Sequence, residues 1–170
     1  MSEPNWSEFL AAFARPGQPA AAFVTLQDIA RRTVGANIFT VMVRDDAAKV
    51  QRRLHSSHPR EYPVSGYKPQ TPGKWQSQVI DRQEVFVANT IAEIAEVFPD
   101  YELIKSLGCE SVVNVPVVYD GAVIGCLNLL EIAGFYTPER VEKAMALRPL
   151  GLAAILAAKA DETKKGGVNR

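Results

Sequence analysis

Residues 111–130, SVVNVPVVYDGAVIGCLNLL, spell out a β-hairpin: two arms of Val, Ile and Leu separated by Asp120-Gly121, a pair suited to a tight turn. Three polar side chains, Asn114, Cys126 and Asn128, interrupt the aliphatic arms. A slip of one residue sends every side chain of a strand to the opposite face, so the register decides what those three do. With Asp120 and Gly121 alone as the loop, Tyr119 opposes Ala122 and each face buries one isolated amide. With Tyr119-Asp120-Gly121 as the loop, Val118 opposes Ala122 and Asn114 opposes Cys126. The odd-numbered positions from Ser111 to Val117 and Val123 to Leu129 then make one apolar face. Val112, Asn114, Pro116, Ile124, Cys126, Asn128 and Leu130 make the other. The second register is preferred, since it leaves one surface fit to pack on helices and gathers the amides where they can satisfy each other, water or a ligand. The plainer reading is that Asn114 and Asn128 only bond each other or nearby backbone.

The rest of the chain supplies covers for such a sheet. Trp6, Phe9, Leu10 and Phe13 fall at helical spacing, and Pro16-Gly17 ends that segment. A helix from Pro19 to Val34, closed by Gly35, carries Phe23, Leu26, Ile29 and Ala30 on one stripe. Residues 36–44 read as a strand, Asp45-Asp46 as a turn and 49–55 as a more polar strand. Between His55 and Gly73 five residues are Pro59, Pro63, Gly66, Pro69 and Pro72, which predicts a long loop without regular structure. Its Tyr62 and Tyr67, with Trp75 just beyond, suit a lid over a binding site. Short helices are expected at 74–82, from the capping box Thr90/Glu93 to Val97, and at 99–107, with a strand at 85–88. Thr137-Pro138-Glu139 opens the last helix, which is apolar on several faces to Ala160; Pro149 should kink it or end its first half. The division expected is an N-terminal helical segment at 1–17, a single domain at 18–160, and a disordered polar tail at 161–170.

Nineteen Lys and Arg balance nineteen Asp and Glu, and no apolar run is long enough to span a membrane, so neither nucleic acid nor membrane is an expected partner. No leader is visible, and a cytoplasmic location is expected. Cys109 and Cys126 would lie too far apart along a regular hairpin for a disulfide and should be free thiols. The run KVQRRLHSSHPR holds six basic or imidazole side chains and no acid. Arg53 or Lys74 could pair with a carboxylate or phosphate, against the plainer reading of a solvated strand. His55 and His58 lack a fixed third ligand, so no metal and no cofactor is expected.

The order helix, strand, strand, aromatic loop, short helices, hairpin, long helix, with WQSQVIDRQEVFVAN and LGCESVVNVPVVYDGAVIGCLNL, resembles the GAF family over about Phe23 to Leu156. The resemblance implies an α+β fold: an antiparallel sheet of five to six strands, terminal helices on one face, and a ligand pocket with loops and short helices on the other. It implies a sensory or regulatory module binding a small organic or anionic ligand. With no room for a fused output domain, signalling would use a separate output protein, and a homodimer through the terminal helices is expected. The ligand-binding residues expected are Arg53, Tyr62, Tyr67, Trp75, Phe98, Tyr101, Val112, Asn114, Cys126 and Asn128. The chain also resembles, in length, the free methionine-(R)-sulfoxide reductases of this family. A thiol-dependent enzyme of that kind is the alternative. The chain lacks that branch's cysteine in TPGKWQSQV, and Val112, Asn128 and Leu130 stand at its acid positions. A substrate ammonium would have no carboxylate there.

Overall fold

The computed structural model describes residues 6–64 and 66–167. Six strands form one antiparallel sheet: β1 (Ile38–Asp45), β2 (Val50–Ser56), β3 (Tyr67–Pro69), β4 (Phe86–Ala88), β5 (Ser111–Tyr119) and β6 (Ala122–Glu131), in the order β3-β2-β1-β6-β5-β4. Helices α1 (Trp6–Phe13) and α2 (Ala20–Thr33) precede the sheet; α3 (Ile91–Ala95) and α4 (Tyr101–Ser106) lie between β4 and β5. Helices α5 (Pro138–Met145) and α6 (Arg148–Gly167) close the chain. The α+β class follows from the sheet having one face closed by long helices and the other by short ones.

Strand alternation produces the two faces. Phe39, Val41 and Val43 of β1, with Val113, Val115, Val117, Leu127 and Leu129 of the hairpin, bury against Phe9, Phe23, Leu26, Ile29, Leu150 and Ile155 of the helices. Each fully buried Leu, Ile or Phe contributes about 1.5–3 kcal/mol relative to exposure, so this layer dominates stability. The opposite face holds a smaller cluster, Ile38, Val79, Phe86, Ile94, Ile104, Val112 and Leu130 among its members.

The hairpin has the expected faces but reaches them differently. Asp120 (φ 50°) and Gly121 (φ 74°) make a two-residue turn, and Tyr119 opposes Ala122. Val118 then opposes Val123 while Val117 opposes Gly125, so Ile124 is an extra residue, a β-bulge. The expected three-residue loop is therefore corrected: Asp-Gly fits the two-residue turn, and the bulge restores the even-with-even pairing. Asn114 consequently opposes Asn128, not Cys126.

A second bulge separates two neighbouring basic side chains. Val41 opposes His55 and Met42 opposes Arg53, so Leu54 is unpaired. Residues 53 and 55 would otherwise share a face. Instead Arg53 joins Met42 on the face away from the long helices, and His55 turns toward them, its ring stacked on Phe23 at 5.8 Å and bonded to Gln27 Oε1 at 2.8 Å.

Several local expectations change. The loop after His55 contains β3, paired with β2; Pro69 is tolerated because β3 is an edge strand. The segment following Trp75 is a π-helical turn at Gln76–Asp81. The capping box is present, with Glu93 N–H donating to Thr90 Oγ1 (3.2 Å) and Thr90 N–H to Glu93 (3.0 Å). The chain breaks between α5 and α6, and Pro149 sits in the first turn of α6, where a missing N–H costs nothing. A disordered tail is corrected for 161–167, which continue α6 with an Asp161–Lys165 ion pair (2.8 Å) and an Arg52–Glu162 bond to the sheet. Residues 168–170 lie outside the described residues.

His55 gives the fold a pH dependence. Burial, reinforced by Arg31 and opposed by Asp28, pushes its imidazole down to about 4. An unfolded histidine titrates near 6.5, so below that pH the unfolded chain binds the extra proton and the stability present above it is lost toward pH 4. Between pH 7 and 5 the loss should be about 2 kcal/mol. Urea titrations at the two pH values should show it in the parent and a markedly smaller difference in His55→Gln; equal differences would mean that His55 is not the group responsible.

Candidate functional site

The face away from the long helices is hollow. A cavity of about 500 Å³ opens between the strands β1, β2, β5 and β6 and the segments carrying Tyr62, Trp75 and Phe98 to Asp100. Its walls are mostly aliphatic and aromatic, with a few convergent polar groups, as small-molecule sites usually are.

The floor is a row of hydrogen bonds crossing three strands. Trp75 Nε1 donates to Asn114 Oδ1 at 2.9 Å, Asn114 Nδ2 to Asn128 Oδ1 at 2.7 Å, and Asn128 Nδ2 to Thr40 Oγ1 at 3.1 Å. Indole N–H can only donate, which fixes the Asn114 amide, and that in turn fixes Asn128. Thr40 ends the row with a hydroxyl proton that has no acceptor among the described residues.

The side wall carries charge. Arg53 is 6% exposed, its Nη1 donates to the Pro63 carbonyl at 3.0 Å, and its guanidinium lies 5.1 Å from the Tyr62 ring centre. Its Nε has no acceptor among the described residues. Burial lowers the Arg53 pKa, while Tyr62 and Asp100 act to raise it. Tyr62 donates to Asp100 Oδ2 (3.3 Å), which also faces Lys68 Nζ at 3.6 Å; Asp100 Oδ1 is buried without a donor among the described residues. Burial and the Asp100 carboxylate push the Tyr62 phenol up, so it stays neutral.

Of the residues expected at a site, the fold brings Arg53, Tyr62, Trp75, Phe98, Val112, Asn114 and Asn128 to the cavity. Three are not among its lining residues. Tyr67 is on the edge strand and 65% exposed. Tyr101 starts α4 and directs its hydroxyl to Glu102 (3.4 Å). Cys126 is 2% exposed, buried in the apolar cluster that it shares with Val79 and Phe86. Lys74, the other candidate anion partner, points to Glu96 (3.1 Å). Ile38, Thr40 and Met42 were missed, although their alternation with Phe39, Val41 and Val43 puts them on the second face. Asp100 and Lys68 had no local signal; only the folded chain joins them.

Both cysteines are free and buried. Burial raises the thiol pKa of each, with Asn37 partly opposing this at Cys109, where its Nδ2 lies 3.5 Å from Sγ. Neither lines the cavity, and a protonated, inaccessible thiol is a poor nucleophile.

The architecture is an antiparallel sheet closed by long helices on one face and hollowed into a cavity of small-molecule size on the other. The chain belongs to the GAF domain family, whose model matches residues 19–150. Among solved structures it is similar to the GAF domain of a phosphoenolpyruvate-protein phosphotransferase from Coxiella burnetii, with 16% identity, TM-score 0.68, and 94% of this chain and 99% of that one covered. It is also similar to the GAF domain of a two-component sensor histidine kinase from Bacillus halodurans, at 11% identity and TM-score 0.62 over 84% and 95% of the two chains. The chromophore-binding domain of an unusual bacteriophytochrome from R. palustris matches at 12% identity and TM-score 0.63, over 91% of this chain and 60% of that one. At these identities the likeness is one of fold. No curated protein sequence matches the chain. No helix among the described residues is long and apolar enough to cross a membrane.

Proposed function

We propose that this chain is a cytoplasmic sensory or regulatory domain that binds a small organic or anionic molecule in the cavity and passes its occupancy to a separate output protein. The observation that carries this is the cavity itself: a buried arginine and an ordered amide row are placed on mostly apolar walls. Sensor and chromophore-binding contexts among the structural neighbours support the reading. Ligand contact would order the segment from Tyr62 to Trp75, and that segment touches the sheet edge through β3. Trp6, Leu10 and Val24 stand exposed on α1 and α2, a surface that a second copy would cover in the homodimer.

Native mass spectrometry of the purified protein, followed by hydrogen exchange with and without the released molecule, tests this. A co-purifying small molecule should protect residues 62–75 and alter exchange in the terminal helices. Unchanged exchange in both regions with the molecule bound would defeat the signalling reading. The thiol-enzyme alternative predicts turnover of methionine sulfoxide that vanishes in the double variant Cys109→Ser/Cys126→Ser. We expect no thiol-dependent turnover and unaltered affinity in that variant.

A further inference from the structure

The charged groups on the cavity wall do not cancel. Arg53, Lys68 and Asp100 are the charged side chains lining it. Lys68 and Asp100 pair at 3.6 Å, and Asp100 takes its other bond from Tyr62 while acting on Arg53 only from beyond ion-pair distance. Arg53 forms no ion pair among the described residues, although it is 94% buried by its 6% exposure. A guanidinium largely withdrawn from water, with one carbonyl as its acceptor among the described residues and its Nε without any, is expensive to hold unless an anion completes it. Its plane is also fixed: the Pro63 carbonyl holds Nη1 and the Tyr62 ring flanks it at 5.1 Å. Such a preorganised fork suits a planar carboxylate. The excess is a single positive charge. A phosphate monoester would bring about 1.5–2 negative charges and leave part of its charge unmatched in an apolar cavity. The opposite wall asks for hydrocarbon, with Ile38, Met42, Phe98, Ile104, Val112 and Leu130 facing the same space.

We infer that the cavity takes an organic monocarboxylate with an apolar body, its carboxylate held by Arg53 and its body on the Ile38–Leu130 wall. This rests on the cavity being the ligand site proposed above. A neutral isostere of such an acid leaves the buried guanidinium unmatched, and a cationic one repels it. Discrimination of at least tenfold follows from one charge-assisted bond.

The probes are 4-phenylbutyrate, 4-phenylbutanamide and 4-phenylbutylamine, which share one body and differ at the end group. Titrations of the full chain, followed through the backbone resonances of Thr40, Arg53 and Asn128, give three affinities. Expected is a butyrate affinity at least ten times that of the amide and amine, with the preference abolished in Arg53→Met. Amide or amine binding as tightly as the acid at the same resonances would overturn the carboxylate assignment while leaving the cavity as a ligand site. An acid preference undiminished in a folded Arg53→Met would overturn the role of Arg53. No movement of those resonances with any probe would overturn both readings. If Arg53→Met does not fold, the three affinities of the parent chain decide alone.

Discussion

Gly125→Ala should lower the melting temperature by about 6–12 °C, the shift corresponding to a loss of about 3 kcal/mol in a chain of this size. Gly125 lies on the helix-facing side of β6, opposite Val117 and beside Val43. A Cβ there would run into the Met42 carbonyl oxygen of the neighbouring strand and come within 2.8 Å of Ile155 Cδ1 on α6. The Ile155 methyl group could move. The carbonyl cannot, because it belongs to the backbone of β1, held between β2 and β6. Relief would require the sheet to part at its central strand pair or α6 to lift from the sheet. Thermal unfolding followed by circular dichroism measures the effect. Gly166→Ala, where an added Cβ meets nothing within 4 Å, serves as the neutral control. A Gly125→Ala melt within a degree of the parent would mean that the strands tolerate separation there.

The two bulges explain how much of this molecule could be read from its sequence. Patterning found the hairpin, its two faces, the covering helices and the capping box, since each rests on residues close in the chain. It misplaced the turn because a two-residue loop plus a bulge at Ile124 gives the same pairing parity as a three-residue loop. Periodicity sees the parity and not its cause. The bulge at Leu54 is harder still. Strict alternation would have put Arg53 and His55 together, whereas one enters the cavity and the other the helix layer. Arg53 was named as a candidate because of its charge, not because a pattern located it. Aromatic character alone places Tyr67 in the expected lid and Tyr101 among the expected binding residues. Edge pairing of β3 and the start of α4 direct them elsewhere. Asp100 and Lys68 meet only because β3 returns to the sheet edge, a contact with no trace in local sequence.

Asn114→Leu should cost about 2–4 kcal/mol and detach Trp75 from the cavity floor, because it removes one acceptor and one donor from a buried row. Asn114 is 3% exposed, and leucine has the same branching and number of side-chain heavy atoms in a larger volume that the adjoining cavity can take up, so packing alone would predict a small change. What is lost is direction. Among the described residues Trp75 Nε1 has its bond only at Asn114, and Asn128 Oδ1 accepts only from Asn114. Asn114→Asp tests the same logic from the other side. Its carboxylate still accepts from Trp75, and Asn128 can turn its Nδ2 toward it, after which Thr40 donates its free hydroxyl proton to Asn128 Oδ1. The row then reverses and survives, at the cost of a charge that opposes an incoming anion beside Arg53. Trp75 emission should therefore shift to the red in Asn114→Leu and far less in Asn114→Asp. Trp6 is the second indole and is exposed in both, so Trp6→Phe is the background for the measurement. If both variants leave emission and melting unchanged, the row is an incidental contact. If Asn114→Asp keeps the emission yet loses affinity for an organic acid, the amides serve two purposes, ordering the floor while keeping it uncharged.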